Sequence, residues 1–354
     1  MKINTTALAR ALAALERVAG KRTPMPVLNT VRIEAQKGVL TLQATNLESF
    51  VSLDVECQGD LVACCVPARV FRNVVGMGDT TELELLKGWL HVSAEMGVNN
   101  RNTKIPTIPA DTFPACAVVK EFALAVDCRE LAKAIDRAGY AFSAETDRPV
   151  LHNVMFLASK GQMAVVSTNG RHLAECVLPC DAEASFMVPA CEISTLVAAL
   201  TVDKAELQVG ENWIHVSHAD GFSQVKLSDL QMPNVMMVAN SARNGEKVST
   251  FNREELTSAL DMCRKFVTDK TFSVKFEPKK KQAQVSVDSE AGSIVETISC
   301  DRALPLVAFD PDYMLSALRR ITGEQVTLGY EDDKSPIVIK ETPFMAVIMP
   351  CRTS

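Results

Sequence analysis

Eleven cysteines and five histidines are the side chains of this 354-residue chain best suited to nucleophilic or metal chemistry. A thiolate beside an imidazole could carry acyl transfer, and the closest approach to that pattern is Cys176 or Cys180 with His172. No independent acid/base cluster accompanies them, so a cysteine enzyme is kept only as a rival reading. A metal site needs clustered ligands, whereas these cysteines are scattered without a Cys-x-x-Cys pair. Their odd number, in a chain with no signal-peptide pattern, reads as reduced thiols serving mostly as small core residues. Cys64 and Cys65 are adjacent in a strand-like run, where neighbours point to opposite faces, so a shared metal is not expected. No P-loop, His-Glu-x-x-His or Gly-x-Ser-x-Gly motif occurs. The chain is expected to be no enzyme, with no catalytic residue, metal or cofactor.

The elements that would position these residues emerge from an internal repeat. Trp89-Leu90-His91-Val92-Ser93 returns 124 residues later as Trp213-Ile214-His215-Val216-Ser217, and these are the only two tryptophans. Val66-Pro67-Ala68 returns as Val188-Pro189-Ala190 and, weakly, as Phe309-Asp310-Pro311. Pro26-Val27-Leu28-Asn29-Thr30-Val31 returns as Pro149-Val150-Leu151-His152-Asn153-Val154 and, much degraded, around Thr271 to Phe276. Phe113-Pro114, Met232-Pro233 and Met349-Pro350 close the copies. A unit of roughly one third of the chain is used three times, giving domains 1–120, 121–245 and 246–354. His91 and His215, being copied, are expected to serve the fold.

Each unit runs strand, helix, alternating strands, second helix, more strands. The predicted opening helices are Asn4–Lys21, Asp127–Arg137 and Asn252–Lys265; the second helices are Ala68–Gly76, Pro189–Leu200 and Asp310–Arg320. Capping spacing marks the opening helices of the second and third units (Asp127 with Glu130, Asn252 with Glu255) but not of the first. The expected fold class is α+β, three repeated domains with helices on one face of antiparallel sheets. No apolar run is long enough to span a membrane, and a cytoplasmic setting without membrane partners is expected. The six helices together carry +3, which leaves −9 for the rest of a chain whose total is −6. If the helices share one face, that face is electropositive; the equal alternative is that helices simply hold more Lys and Arg.

Several stretches resemble the bacterial DNA polymerase III beta subunits, the sliding clamps. They are Arg22-Thr23-Pro24-Met25-Pro26-Val27-Leu28-Asn29, Ala44-Thr45-Asn46-Leu47-Glu48, Val66-Pro67-Ala68-Arg69, Arg148-Pro149-Val150-Leu151, Ser167-Thr168-Asn169-Gly170-Arg171-His172-Leu173-Ala174 and Val347-Ile348-Met349-Pro350-Cys351-Arg352. Their order, spacing and threefold recurrence carry the resemblance across the whole chain. It implies DNA-clamp domains in a head-to-tail homodimeric ring, helices inside, encircling double-stranded DNA without sequence specificity. The implied partners are the replicative DNA polymerase alpha subunit, the clamp loader and other clamp-binding repair or replication proteins. A ring held topologically needs only weak, exchangeable phosphate contacts to slide.

The resemblance also implies site residues. A partner-peptide pocket would use Leu151, Thr168, Gly170, Arg171, His172 and Leu173 with Asp310, Tyr313, Val347, Ile348, Met349, Pro350 and Arg352. Apolar walls with a tyrosine suit the anchors of a short peptide, and Leu173, Tyr313 and Met349 are expected as hot spots. Without the family, Thr168-Asn169-Gly170 reads only as a turn. For DNA, Arg22 and Arg148 match basic loop positions, and Arg10, Arg17, Lys21, Arg69, Arg72, Lys133, Arg137, Arg264, Arg319 and Arg320 are helix residues that could face the hole; each could equally be a plain solvated charge. Lys279-Lys280-Lys281 reads as a hairpin turn outside it. Ile105 and Phe266 fall at subunit-interface positions, although Pro106 removes a backbone donor from the edge that would pair. Arg171-His172 reverses the commoner order, Asn240 stands at a usual proline, Cys351 at a usual methionine, and the chain ends Thr353-Ser354. A repeat-built interaction scaffold that never encircles DNA is the other rival.

Overall fold

The computed structural model describes residues 1–20, 23–75, 78–96, 99–117, 122–143, 147–242, 247–269, 271–302, 304–332 and 334–351. Its seven described α-helices are α1 (Thr5–Val18), α2 (Ala68–Val74), α3 (Cys128–Ala138), α4 (Ile193–Leu200), α5 (Val235–Ala242), α6 (Arg253–Arg264) and α7 (Pro311–Leu318). Six coincide with the predicted helices to within a few residues at their ends. The seventh, α5, was not anticipated. Three short caps explain the starts: Asn4 Oδ1 accepts from Ala7 N at 3.0 Å, Asn252 Oδ1 from Glu254 N and Glu255 N, and Asp310 Oδ1 from Asp312 N. The first helix is therefore capped too, by an Asn that the Asp/Asn-x-x-Glu spacing could not reveal.

The chain forms two compact units, residues 1–129 with 191–227 and residues 130–190 with 228–354. Neither coincides with a repeat, because the central repeat divides between them. In the first unit, strand Ser49–Gln58 is the hub of an antiparallel sheet. It pairs along its length with Val39–Thr45, with Lys2–Asn4 at one end, and with Gly221–Lys226 at the other, where Leu53 faces Gly221. A Cβ on Gly221 would stand 2.2 Å from Ser52 O at φ +134°, so only glycine lets this strand join the hub. The α1 stripe of Leu8, Leu12, Leu15 and Val18 lies on this sheet's core with Val31, Leu40, Leu42 and Phe71.

In the second unit, eight strands run from Ala184–Pro189 through Asn153–Ser159, Gln162–Thr168 and His172–Pro179 to Phe344–Ile348, and on to Lys247–Asn252. His172 faces Ile348 where the central and third repeats meet in one sheet. Four further strands, with Gly292–Ser299 at one edge, pack Phe276 between Phe251 and Phe309 at 6.3 and 4.9 Å. Val31, Val154 and Val274, spaced by the repeat, are all fully buried.

Alternation explains the repeated tryptophan motif. Leu90, Val92, Ile214 and Val216 are buried, whereas Trp89 and its copy Trp213 stand on the other face, Trp89 exposed and Trp213 partly so. Cys64 and Cys65 point to different sides, Cys64 into the large core and Cys65 into a small cluster with Val27 and Leu28. Lys280 and Lys281 make the hairpin turn between Val274–Lys279 and Gln282–Ser289, Lys281 with φ +54°. No helix among the described residues is long and apolar enough to cross a membrane.

Candidate functional site

The turn Asn169-Gly170-Arg171 between two paired strands organises the candidate pocket. Asn169 Oδ1 accepts from Arg171 N and His172 N, both at 2.9 Å, and Thr168 Oγ1 accepts from Gly170 N while donating to His172 O. This is an Asx turn, and it closes only because Gly170 adopts φ +85°. A Cβ there would also lie 3.3 Å from Arg148 Nη1, so glycine admits the guanidinium. The Asn169 amide then reaches across to Tyr313, donating to its hydroxyl at 3.1 Å. Tyr313 stacks on His172 with centroids 4.2 Å apart, and Asn169 Oδ1 lies 3.0 Å from His172 Nδ1. An amide oxygen can only accept, so Nδ1 carries the proton.

The reversed Arg171-His172 order follows from this packing: His172 is buried under Tyr313 while Arg171 is exposed. Burial lowers the His172 pKa to about 4, so the ring is neutral at physiological pH. Burial pushes the Asp310 carboxyl up, with Arg171 and Arg264 pulling the other way. The C-terminal strand completes the wall: Met349 N donates to Arg171 O at 2.9 Å, and Cys351 N to Ala308 O at 2.7 Å, just before α7. Cys351, at the usual methionine, is half-buried there.

The structure thus brings the central-repeat and third-repeat pocket residues together, but unequally. Leu173, Val347 and Ile348 are buried in the chain's own core, and Leu151, Thr168 and His172 nearly so. Leu173 is therefore a core residue and not a free wall. The surface open to a partner is Met349, 41% exposed, with Gly170, Arg171, Tyr313 and Pro350. Arg352 lies outside the described residues. Sequence reasoning missed three contributors: Asn169, Arg148 beside Gly170, and α5, whose Val235 and Ala239 join the cluster of Leu151, Leu173 and Val347. The run Pro233-Asn234-Val235-Met236-Met237-Val238 was the available signal for α5, and Asn234 Oδ1 accepts from Met237 N. Asn240 lies on this helix, where a proline would remove a backbone donor.

The basic candidates separate sharply. Lys21 and Arg22 lie outside the described residues. Arg10 pairs with Asp220 at 2.8 Å, Lys133 with Glu130 at 2.6 Å, Arg264 with Asp312 at 2.5 Å, and Arg72 with Glu16. Arg137 is mostly buried, bound to Glu341 and Arg320 O, so it braces the fold and is not available as a phosphate contact. Burial raises the Glu341 pKa, but donation from Gly323 N, Thr322 N and Thr322 Oγ1, with Arg137 beside it, holds the carboxyl below its usual value. Arg320 donates to Asp136 O and lies over the Tyr140 ring at 5.0 Å. Arg148, expected as a DNA contact, is exposed and sits beside the turn at Gly170. Arg17, Arg69 and Arg319 are exposed and make no ion pair among the described residues.

Ile105 corrects another expectation: it is fully buried in the first unit's core, so its side chain has no surface to give a partner. Its strand, Asn99–Pro106, is nevertheless a sheet edge, as is Gly292–Ser299. Phe266 is half-buried, its ring 3.4 Å from where a Gly292 Cβ would stand. The two cysteines of the rival reading, Cys176 and Cys180, are both buried, and burial pushes the Cys176 thiol up, away from thiolate.

Three family profiles match the chain in order: DNA polymerase III beta subunit N-terminal domain over residues 1–117, central domain over 125–234 and C-terminal domain over 242–352. It is similar to the beta sliding clamp of Chlamydia muridarum, 24% identical over 99% of this chain and 98% of that protein. The beta sliding clamp of Caulobacter vibrioides is also 24% identical, over 96% and 95%. Among solved structures, the Pseudomonas aeruginosa DNA polymerase III subunit beta superposes with a TM-score of 0.89 at 22% identity, covering both chains fully. The Thermotoga maritima beta subunit gives 0.89 at 22% identity, covering 100% and 99%. With the three domains of the family matched in order across nearly its whole length, the chain belongs to the bacterial DNA polymerase III beta subunit family, the beta sliding clamps.

Proposed function

We propose that this chain works in the cytoplasm as a sliding clamp: two copies close head to tail around duplex DNA and tether the replicative polymerase alpha subunit and other partners. The observation that carries this reading is the full-length, in-order match to the three clamp domains. It acts by topology and has no catalytic step of its own.

Closure would pair two sheet edges. Asn99–Pro106 offers unpaired backbone groups with Arg101 and Lys104 exposed, and Gly292–Ser299 offers its own with Val295 exposed, Glu296 half-exposed and Glu290 near its start. Opposite charges on the two edges favour pairing them with each other over pairing like with like. Partner peptides would lay an apolar anchor against Met349, Tyr313 and Pro350, with Arg171 on the rim.

Retention on circular DNA tests the reading. The protein should stay on nicked circles after assembly and be lost when the circle is linearised. Equal retention on both forms would instead favour a scaffold that does not encircle DNA.

A further inference from the structure

The candidate lining residues differ in how their charge is used. The Arg137–Glu341 pair, with side chains 21% and 24% exposed, is embedded among backbone donors and braces the fold. The Arg10–Asp220 and Arg264–Asp312 pairs are open to solvent, 79% with 43% and 49% with 54% exposed. Pairs that open contribute at most about 1 kcal/mol to stability, so holding the fold does not account for them. Arg10 and Asp220 line a cleft of about 910 Å³ between α1 and α4, whose other charged groups are Arg17, Asp54, Glu56 and Asp203. Asp203 is held by Arg129 and Asp54 accepts from Thr41 Oγ1, which leaves Asp220 as the carboxylate on Arg10. Asp312, in the first turn of α7, is held toward Arg264 near the favourable end of that helix.

We propose that Asp220 and Asp312 are built-in competitors for DNA phosphates, occupying Arg10 and Arg264 so that the clamp grips DNA less tightly than its basic residues would allow. This rests on the clamp reading above. A phosphate must displace a carboxylate to reach either arginine, and the carboxylate rebinds when the phosphate leaves. The exchange leaves Arg17, Arg69 and Arg319 as the standing positive charge, and it keeps the grip weak enough for sliding.

The test measures affinity of the dimer for a short duplex by fluorescence anisotropy across a salt series. Each substitution frees one arginine per protomer and two per dimer, so the slope of log K against log salt should steepen by about 0.9 for each that reaches a phosphate, up to about 1.8. Asp220→Asn and Asp312→Asn should each show this and tighten binding about threefold to tenfold at low salt, with unchanged thermal melting. Arg10→Gln should change binding less than about twofold in the native background but abolish the gain in Asp220→Asn. Arg17→Gln should weaken binding in every background. Native slope and affinity in both Asp variants, while Arg17→Gln weakens binding, would overturn the proposal and leave the clamp reading intact. An Arg10→Gln loss as large as that of Arg17→Gln would overturn it equally. Absence of salt-dependent binding by any form, native protein included, would overturn the clamp reading and this one with it. The two carboxylates lie in different units, so one variant that misfolds leaves the other arm decisive.

Discussion

His172 is where residue chemistry and the proposed partner pocket meet. Its folded pKa of about 4 lies below the ordinary value of 6.5, so the native state resists protonation more than the unfolded chain does. Its contribution to stability is complete above about pH 6.5 and is lost as pH falls toward 4, by roughly 3 kcal/mol across that window. Melting of the native protein should fall more steeply between pH 6.5 and 4 than melting of His172→Gln; parallel curves would mean the ring is not buried neutral. Tyr313→Ala and Met349→Ala should each weaken a partner peptide about fivefold to thirtyfold, measured by calorimetry with native circular dichroism. Leu173→Ala should behave differently. Being core, it should cost about 2–5 kcal/mol of stability, with any effect on the peptide secondary to that.

At the scale of elements, edges and crossings decide the outcome. Gly221→Ala should lower the melting temperature of the whole protein, by more than about 1 kcal/mol in stability, because a Cβ cannot share space with Ser52 O. An unchanged melting curve would show that the strand can shift at no cost. The half-buried Phe266 supports the Gly292 edge, so Phe266→Ala should raise the dimer dissociation constant in sedimentation, with the monomer still folded. A constant that does not move would place the interface elsewhere. Ile105→Ala should primarily destabilise the first unit, since that side chain is already out of water.

For the whole molecule, the +3 of the helices already nets Arg72, Lys133 and Arg264 against Glu16, Glu130 and Asp312, while Asp220 and Glu341, outside the helices, hold Arg10 and Arg137. Five of the candidate cations are held by nearby carboxylates, Arg137 with its side chain mostly covered, so the proposed grip on DNA would rest on few residues. A mass measurement at micromolar concentration should find a dimer. A monomer throughout that range would count against a closed ring.

Periodicity alone determined a great deal. The repeat placed Val31, Val154 and Val274 on equivalent buried strands, and helical spacing located six helices, because both signals are local and recur every few residues. The motif Thr168-Asn169-Gly170 announced a turn for the same reason. What the sequence could not carry was which segments meet. The division of the central repeat between two compact units depends on strands such as Gly221–Lys226 and His172–Pro179 pairing with partners far along the chain. Whether Arg137 or Leu173 faces water, and whether Arg10 is free or held by Asp220, are likewise set by neighbours more than a hundred residues away. Such contacts leave no local spacing to read, because the distance that matters is through space and only folding makes it short.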